Sequence, residues 1–101
     1  MSIIKGVALI TGSAQGIGRA IALRLASDGF DIALNDVASK HEQLNAVAME
    51  IDALGRKSCV VPAEVSTEEQ VKQMIDSTVE RLGGLDVVRS QIQSWAGLIA
   101  Y

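Results

Sequence analysis

Two features near the start of the chain have the residue types and spacing for ligand chemistry. The first is a set of three glycines, Gly12, Gly16 and Gly18, in the segment TGSAQGIG, between a run that reads as a strand and one that reads as a helix. At Gly12 a sharp turn with positive φ excludes a side chain. At Gly16, where the helix begins, a missing Cβ lets a pyrophosphate approach amides that lack helical partners and sit at the positive end of the dipole. At Gly18 the absent bulk lets the helix pack closely on the strand. The second feature is Asp36, about twenty residues further on, the separation at which a carboxylate accepts hydrogen bonds from the two hydroxyls of an adenosine ribose.

A seat for phosphates and an acceptor for a sugar together point to a dinucleotide. No lysine follows Gly16 or Gly18, so the G-x-x-x-x-G-K-[ST] loop of nucleoside triphosphate hydrolases is disfavoured. The charge of Asp36 repels a 2′-phosphate, and neither Ala14, Gln15 nor Val37 offsets it with a positive charge, so the site is expected to prefer NAD to NADP. FAD or S-adenosylmethionine would use the same fold with different chemistry and stays open as an alternative.

Composition sets the bounds on everything else. The 101 residues suffice for one small domain, 49% of them hydrophobic and 21% charged. A net charge of −3 offers no basic footprint for nucleic acid or an anionic membrane. The aliphatic runs fall far short of the roughly 20 residues that span a bilayer, and Lys5 and Gly6 interrupt the N-terminal apolar stretch, so a cytoplasmic location is expected. The single cysteine, Cys59, can form neither an internal disulfide nor a multi-cysteine metal site and reads as core; no metal site is expected. His41, the only histidine, reads as a solvated residue in the first turn of the second helix.

The elements that must position the candidate site follow from periodicity. Four short runs, Val7 to Thr11, Asp31 to Asp36, Ser58 to Ala63 and Leu85 to Val88, are apolar at consecutive positions, as in parallel strands covered on both faces. Between them lie helical patterns: Ile17, Ala20, Ile21 and Leu25; then Leu44, Val47, Ala48 and Ile51; then Val71, Met74, Ile75, Thr78, Val79 and Leu82. Ser39 with Glu42 and Ser66 with Glu69 fit capping boxes, and Gly29, Gly55 and Gly83 follow the three helices as stop signals. Alternating strands and helices with right-handed crossovers give an α/β fold with a parallel sheet in the order 3-2-1-4 and helices on both faces. Any ligand then sits at the carboxyl ends of the strands, beside the first.

Thr11-Gly12-Ser13-Ala14-Gln15-Gly16-Ile17-Gly18 resembles the T-G-x-x-x-G-x-G cofactor turn of the short-chain dehydrogenase/reductase family, and the resemblance continues through Asp36, AEVS (Ala63 to Ser66) and GGLDVV (Gly83 to Val88). It implies a Rossmann-type fold that binds a nicotinamide cofactor through Gly12, Ser13, Gln15, Gly16, Ile17 and Gly18, through Asp36 and Val37, and through Glu64 and Val65 near the adenine. Glu64 stands where the family carries aspartate. The wording of the first helix is similar to acetoin/diacetyl reductases, which implies hydride transfer between the cofactor and a small carbonyl or secondary alcohol.

The resemblance covers residues 1–88, read as an NAD(P)-binding half-domain, and residues 89–101 read as a divergent tail. The family's N-N-A-G, its catalytic serine and its Y-x-x-x-K do not occur in VVRSQIQSWAGLIAY, so no catalytic residue is assigned. The expectation is a fold cut short after its fourth strand, as by truncation, splicing or an imperfect gene model, that binds cofactor without turnover. Ile92, Trp95, Ala96 and Ile99 fall at helical spacing, and the tail is read either as a frayed terminus or as folding back over the fourth strand. The rival reading is a non-enzymatic fragment that associates with a second copy or a full-length homologue through the free edge of that strand.

Overall fold

The computed structural model describes residues 5–64 and 67–89. Strand β1 (Gly6–Ile10) leads into helix α1 (Gly16–Ser27), followed by β2 (Phe30–Leu34), a 3-10 turn (Ala38–Lys40), α2 (His41–Ala53), β3 (Ser58–Val60), α3 (Glu68–Leu82) and β4 (Val87–Arg89). All strands pair in parallel, in the order β3-β2-β1-β4, as the alternation of elements requires.

Strands buried on both faces still alternate, and the alternation sorts the core into two halves. Ala8, Ile10, Ile32 and Leu34 meet Ala22 and Ala26 of α1 and Leu44, Val47 and Ile51 of α2. Leu9, Ala33 and Cys59 face the other way, onto Val71 and Met74 of α3. Two crossovers in one direction and one in the other produce this division, because right-handedness fixes which face each helix covers.

Every expected strand exists, with shifted ends. Expected Thr11, Asn35 and Asp36 lie beyond their strands, in the connections that carry the site, and β3 stops at Val60 although the Val61 amide still donates to the Leu34 carbonyl at 2.9 Å. At β4 the shift runs the other way. Asp86 precedes the strand and fastens it to β1: its amide donates to the Val7 carbonyl, and its Oδ2 accepts from the Val7 amide, both at 2.8 Å.

The helices depart from expectation in three respects. Of Ile17, Ala20, Ile21 and Leu25, only Ile21 and Leu25 pack against the core, half-buried; the fully buried face of α1 is Gly18, Ala22 and Ala26, whose small side chains let the helix come close to the sheet, while Ala20 is exposed and Ile17 is 72% exposed. All four also line, with Val87, an open apolar groove between α1 and β4. Val79 of α3 is also exposed. Ser39 lies inside the 3-10 turn and does not cap α2, whose N-cap is Lys40 without a side-chain bond. At α3 the capping signal moves by one residue: Thr67 Oγ1 accepts from the Gln70 amide at 3.2 Å, and Glu68 and Glu69 complement the dipole in the first turn. Ser66 lies outside the described residues, as does the tail from residue 90 onward. Gly29, Gly55 and Gly83 follow the helices with positive φ, as expected.

The polar ends of the sheet are anchored separately. At the amino end of β2, buried Asp31 accepts from the Lys57 amide at 3.0 Å, and Arg56 donates to the Gly29 carbonyl at 3.1 Å. No helix among the described residues is long and apolar enough to cross a membrane. The cap at α3 gives a direct check of the assignment: Thr67→Ala should lower unfolding free energy in a urea titration by about 1 kcal/mol, whereas Ser39→Ala should change it by less than about 0.5 kcal/mol.

Candidate cofactor-binding site

The carboxyl ends of β1 and β2 lie side by side, and the turn from β1 to α1 passes between them. Gly12 and Gly16 each adopt φ +62°, a left-handed conformation that costs a residue with Cβ roughly 1–2 kcal/mol. A Cβ built on Gly16 would meet no protein atom within 4 Å, so it is the backbone twist that requires glycine there. Gly18 is different. A Cβ on it would lie 2.7 Å from the Gly12 carbonyl carbon and 3.1 Å from Ser13 Cα, and would collide with the Gly12 oxygen. The close packing expected at Gly18 is therefore against the backbone of the turn itself, with the helix seated on the loop that precedes it.

This seat brings the mouth of α1 to the rim. Gln15 is its N-cap in extended conformation, with no side-chain cap, and the first turn contains no acidic residue. The positive end of the dipole is thus left without a protein anion in its own first turn, unlike α2 with Glu42 and α3 with Glu68 and Glu69.

Ser13 and Asn35 lock the turn to the sheet. The two residues exchange backbone and side-chain bonds: the Ser13 amide donates to the Asn35 carbonyl at 2.9 Å, Ser13 Oγ donates to the same carbonyl at 3.2 Å, and the Asn35 amide donates to Ser13 Oγ at 3.0 Å. Asn35 Nδ2 donates to the Val61 carbonyl at 2.8 Å and reaches the Ala63 carbonyl at 3.4 Å, so one side chain fastens the ends of β2 and β3. Both residues are fully buried. The Ser13 hydroxyl is consumed inside the protein, which makes its contribution to the site one of shaping the turn.

Asp36 emerges from this lock half-buried at the rim. Its Oδ2 accepts from the Ala14 amide at 3.3 Å and its Oδ1 from the Val37 amide at 2.9 Å. A carboxylate has about four lone-pair sites, so two remain for hydroxyl donors once the backbone has fixed its orientation. Ile17 and Val37 are exposed beside these polar groups and can give apolar contact. Glu64 is exposed at the end of the β3 connection, on a groove that Pro62, Gln70 and Arg81 also line. Val65 lies outside the described residues.

The structure also brings in a residue from further along the chain. Lys40, at the end of the 3-10 turn, donates from its Nζ to Gln15 Oε1 at 3.3 Å. Cys59 stays outside the site: burial pushes its thiol pKa up, opposed by the Arg81 guanidinium, which suits the inert core residue expected from sequence. His41 is exposed at the first position of α2. Among the described residues, no group of three or more His, Cys, Asp or Glu is placed to hold a metal ion.

The sequence pattern described as "short chain dehydrogenase" matches residues 6–92, most of the chain. The chain belongs to the short-chain dehydrogenase family. Over 82 residues it is 60% identical to a short-chain dehydrogenase/reductase of Armillaria gallica, a match covering 81% of this chain and 31% of that protein. The fold is similar to that of a carveol dehydrogenase from Mycobacterium avium crystallised in complex with NAD, with a TM-score of 0.76 and 35% identity over 85% of this chain and 35% of that one. An acetoin dehydrogenase from Enterobacter cloacae gives the same TM-score of 0.76 at 34% identity, covering 83% of this chain and 34% of that one. The short-chain dehydrogenase chain thus spans about a third of the length of these relatives, and its Rossmann-type sheet is the one the sequence pattern implied.

Two members of the site were not nominated from sequence. Asn35 was hidden inside an apolar run taken for strand; the signal available was a lone amide where both faces should be apolar. Lys40 could not be placed, because the 3-10 turn that aims it leaves no periodic signature. Both buried contacts are open to measurement. Gly18→Ala should cost roughly 1–3 kcal/mol by chemical denaturation, as overpacking against backbone. Asn35→Leu, which strands two carbonyls, should cost about 1–3 kcal/mol.

Proposed function

We propose that this chain is the nicotinamide-dinucleotide-binding part of a short-chain oxidoreductase, one that moves hydride between its cofactor and a small carbonyl or secondary alcohol. The observation that carries the reading is Asp36 bonded to Ala14: one hydrogen bond ties a ribose-type acceptor to the turn that opens into an uncapped helix mouth. The donor set fits a dinucleotide. Amides at Gly16 and Ile17 would face the pyrophosphate, Asp36 the adenosine ribose, Val37 and Ile17 its apolar surfaces, and Glu64 with Val65 the adenine edge. The nicotinamide, when bound, supplies the hydride chemistry. The residues of this chain bind and orient.

The acetoin dehydrogenase and carveol dehydrogenase neighbours support a small alcohol or ketone as the substrate class. A carbonyl that accepts hydride also needs a proton donor aimed at its oxygen. No residue of this chain is assigned that role.

Titration calorimetry with NAD should give saturable one-to-one binding to folded protein. Asp36→Asn should weaken it roughly tenfold, the difference between a charged and a neutral acceptor, and should lower the thermal midpoint as well, because one of the two backbone amides that Asp36 accepts from loses its partner. No heat of binding at millimolar NAD would overturn the binding assignment.

A further inference from the structure

Strand β4 is the last strand of the described sheet and pairs only with β1. The groove beside it, against α1, measures about 520 Å³, room for several side chains but not for a folded domain. Ile17 and Ala20 are exposed there, and Ile21, Leu25 and Val87 are only half-buried. From Ile17 to Leu25 this row runs about 12 Å along α1 at the helical rise. A strip of that length and one helix wide, about 10 Å, offers roughly 120 Å², far below the ~800 Å² per partner that a stable association of two copies buries. The dimensions therefore call for an occupant that is already tethered at the groove.

The chain itself supplies one. The Thr11 amide donates to the Arg89 carbonyl at 3.0 Å, which fixes the end of β4, and Arg89 also lines the groove. From that point the chain continues into residues 90–101, which lie outside the described residues. In their sequence, Ile92, Trp95, Ala96 and Ile99 recur at helical spacing and span about 10 Å at the same rise, close to the length of the row on α1. The segment contains no Lys, Arg, Asp or Glu side chain, so burying its apolar stripe desolvates no charge of its own and adds no repulsion to Arg24 and Arg89, the charged lining residues.

We propose that residues 91–100 form an amphipathic helix that occupies the groove between α1 and β4, with Ile92, Trp95, Ala96 and Ile99 on its buried side. A helix this short is marginal in water, and Gly97 weakens it further, so its formation depends on the groove. The short connection from Arg89 holds the stripe at an effective concentration in the millimolar range, which favours docking within one chain over association between chains. The helix covers the apolar row of α1 that the sheet leaves exposed.

Trp95 is the only tryptophan, so its fluorescence reports on this segment alone. In the intact 101-residue protein its emission should be blue-shifted from that of the urea-unfolded chain, and acrylamide should quench it less. Ala20→Glu places a charge in the groove at an exposed position of α1, where a substitution otherwise has little effect on the fold. It should return emission and quenching to the unfolded-chain values and lower the helical circular dichroism, while cooperative unfolding of the sheet persists. Ile99→Ser should do the same from the other partner, and it lies outside the sheet. Native emission equal to that of the unfolded chain overturns the docking, as does shielding of Trp95 that survives both substitutions. Emission that shifts to the red on dilution, with a dimer in sedimentation velocity, overturns it in favour of a second copy.

Discussion

Helix α1 can begin where it does only because Gly18 has no side chain. Its Cα lies against the carbonyl of Gly12, and every other property of the rim depends on that contact. With the helix seated on its own preceding turn, its unpaired amides open at the carboxyl ends of the strands, within one residue of the segment that bonds Asp36. A methyl group at Gly18 would lift the first turn of α1 and carry the amides away from the carboxylate. Ala22 and Ala26 extend the same close approach down the helix. Ile17, which a hydropathy pattern would send inward, is thereby left exposed beside it, while Ile21 packs half-buried on the core.

The polar residues of the site divide between holding and presenting. Ser13 and Asn35 are buried, spend their hydrogen-bonding groups on each other and on the chain just past β3, and give the turn one conformation. Asp36, the next residue, presents its carboxylate outward with half its acceptor capacity already used for orientation. Buried amides and hydroxyls are tolerated in a core only when bonded, so the price of placing Asn35 inside the sheet is met by the rigidity it confers on the residues beside it.

Much of this arrangement was legible in the sequence. Strand order, the parallel sheet, the helix count, the positions of the three turn glycines and the carboxylate at the end of β2 all follow from period, turn chemistry and chain handedness. Less legible were features decided by tertiary contact. Periodicity could not separate Gly18, Ala22 and Ala26 from Ile17 and Ile21 as the buried face of α1, because small residues carry little hydropathy signal while permitting the closest packing. The α3 cap fell on Thr67 because T-x-x-Q overlaps S-x-x-E with an offset of one, and only backbone geometry chooses between them. Lys40 reaches Gln15 across 25 residues of chain, a distance at which no local rule operates.

The opposite end of the sheet is fastened by different groups. Asp31, Arg56, Lys57 and the Gly29 carbonyl clasp the entrance to β2, at the end of the strand opposite the candidate cofactor site. Anchorage is thus provided at both ends of β2, by this clasp at one end and by the Ser13–Asn35 lock at the other, where the candidate site lies.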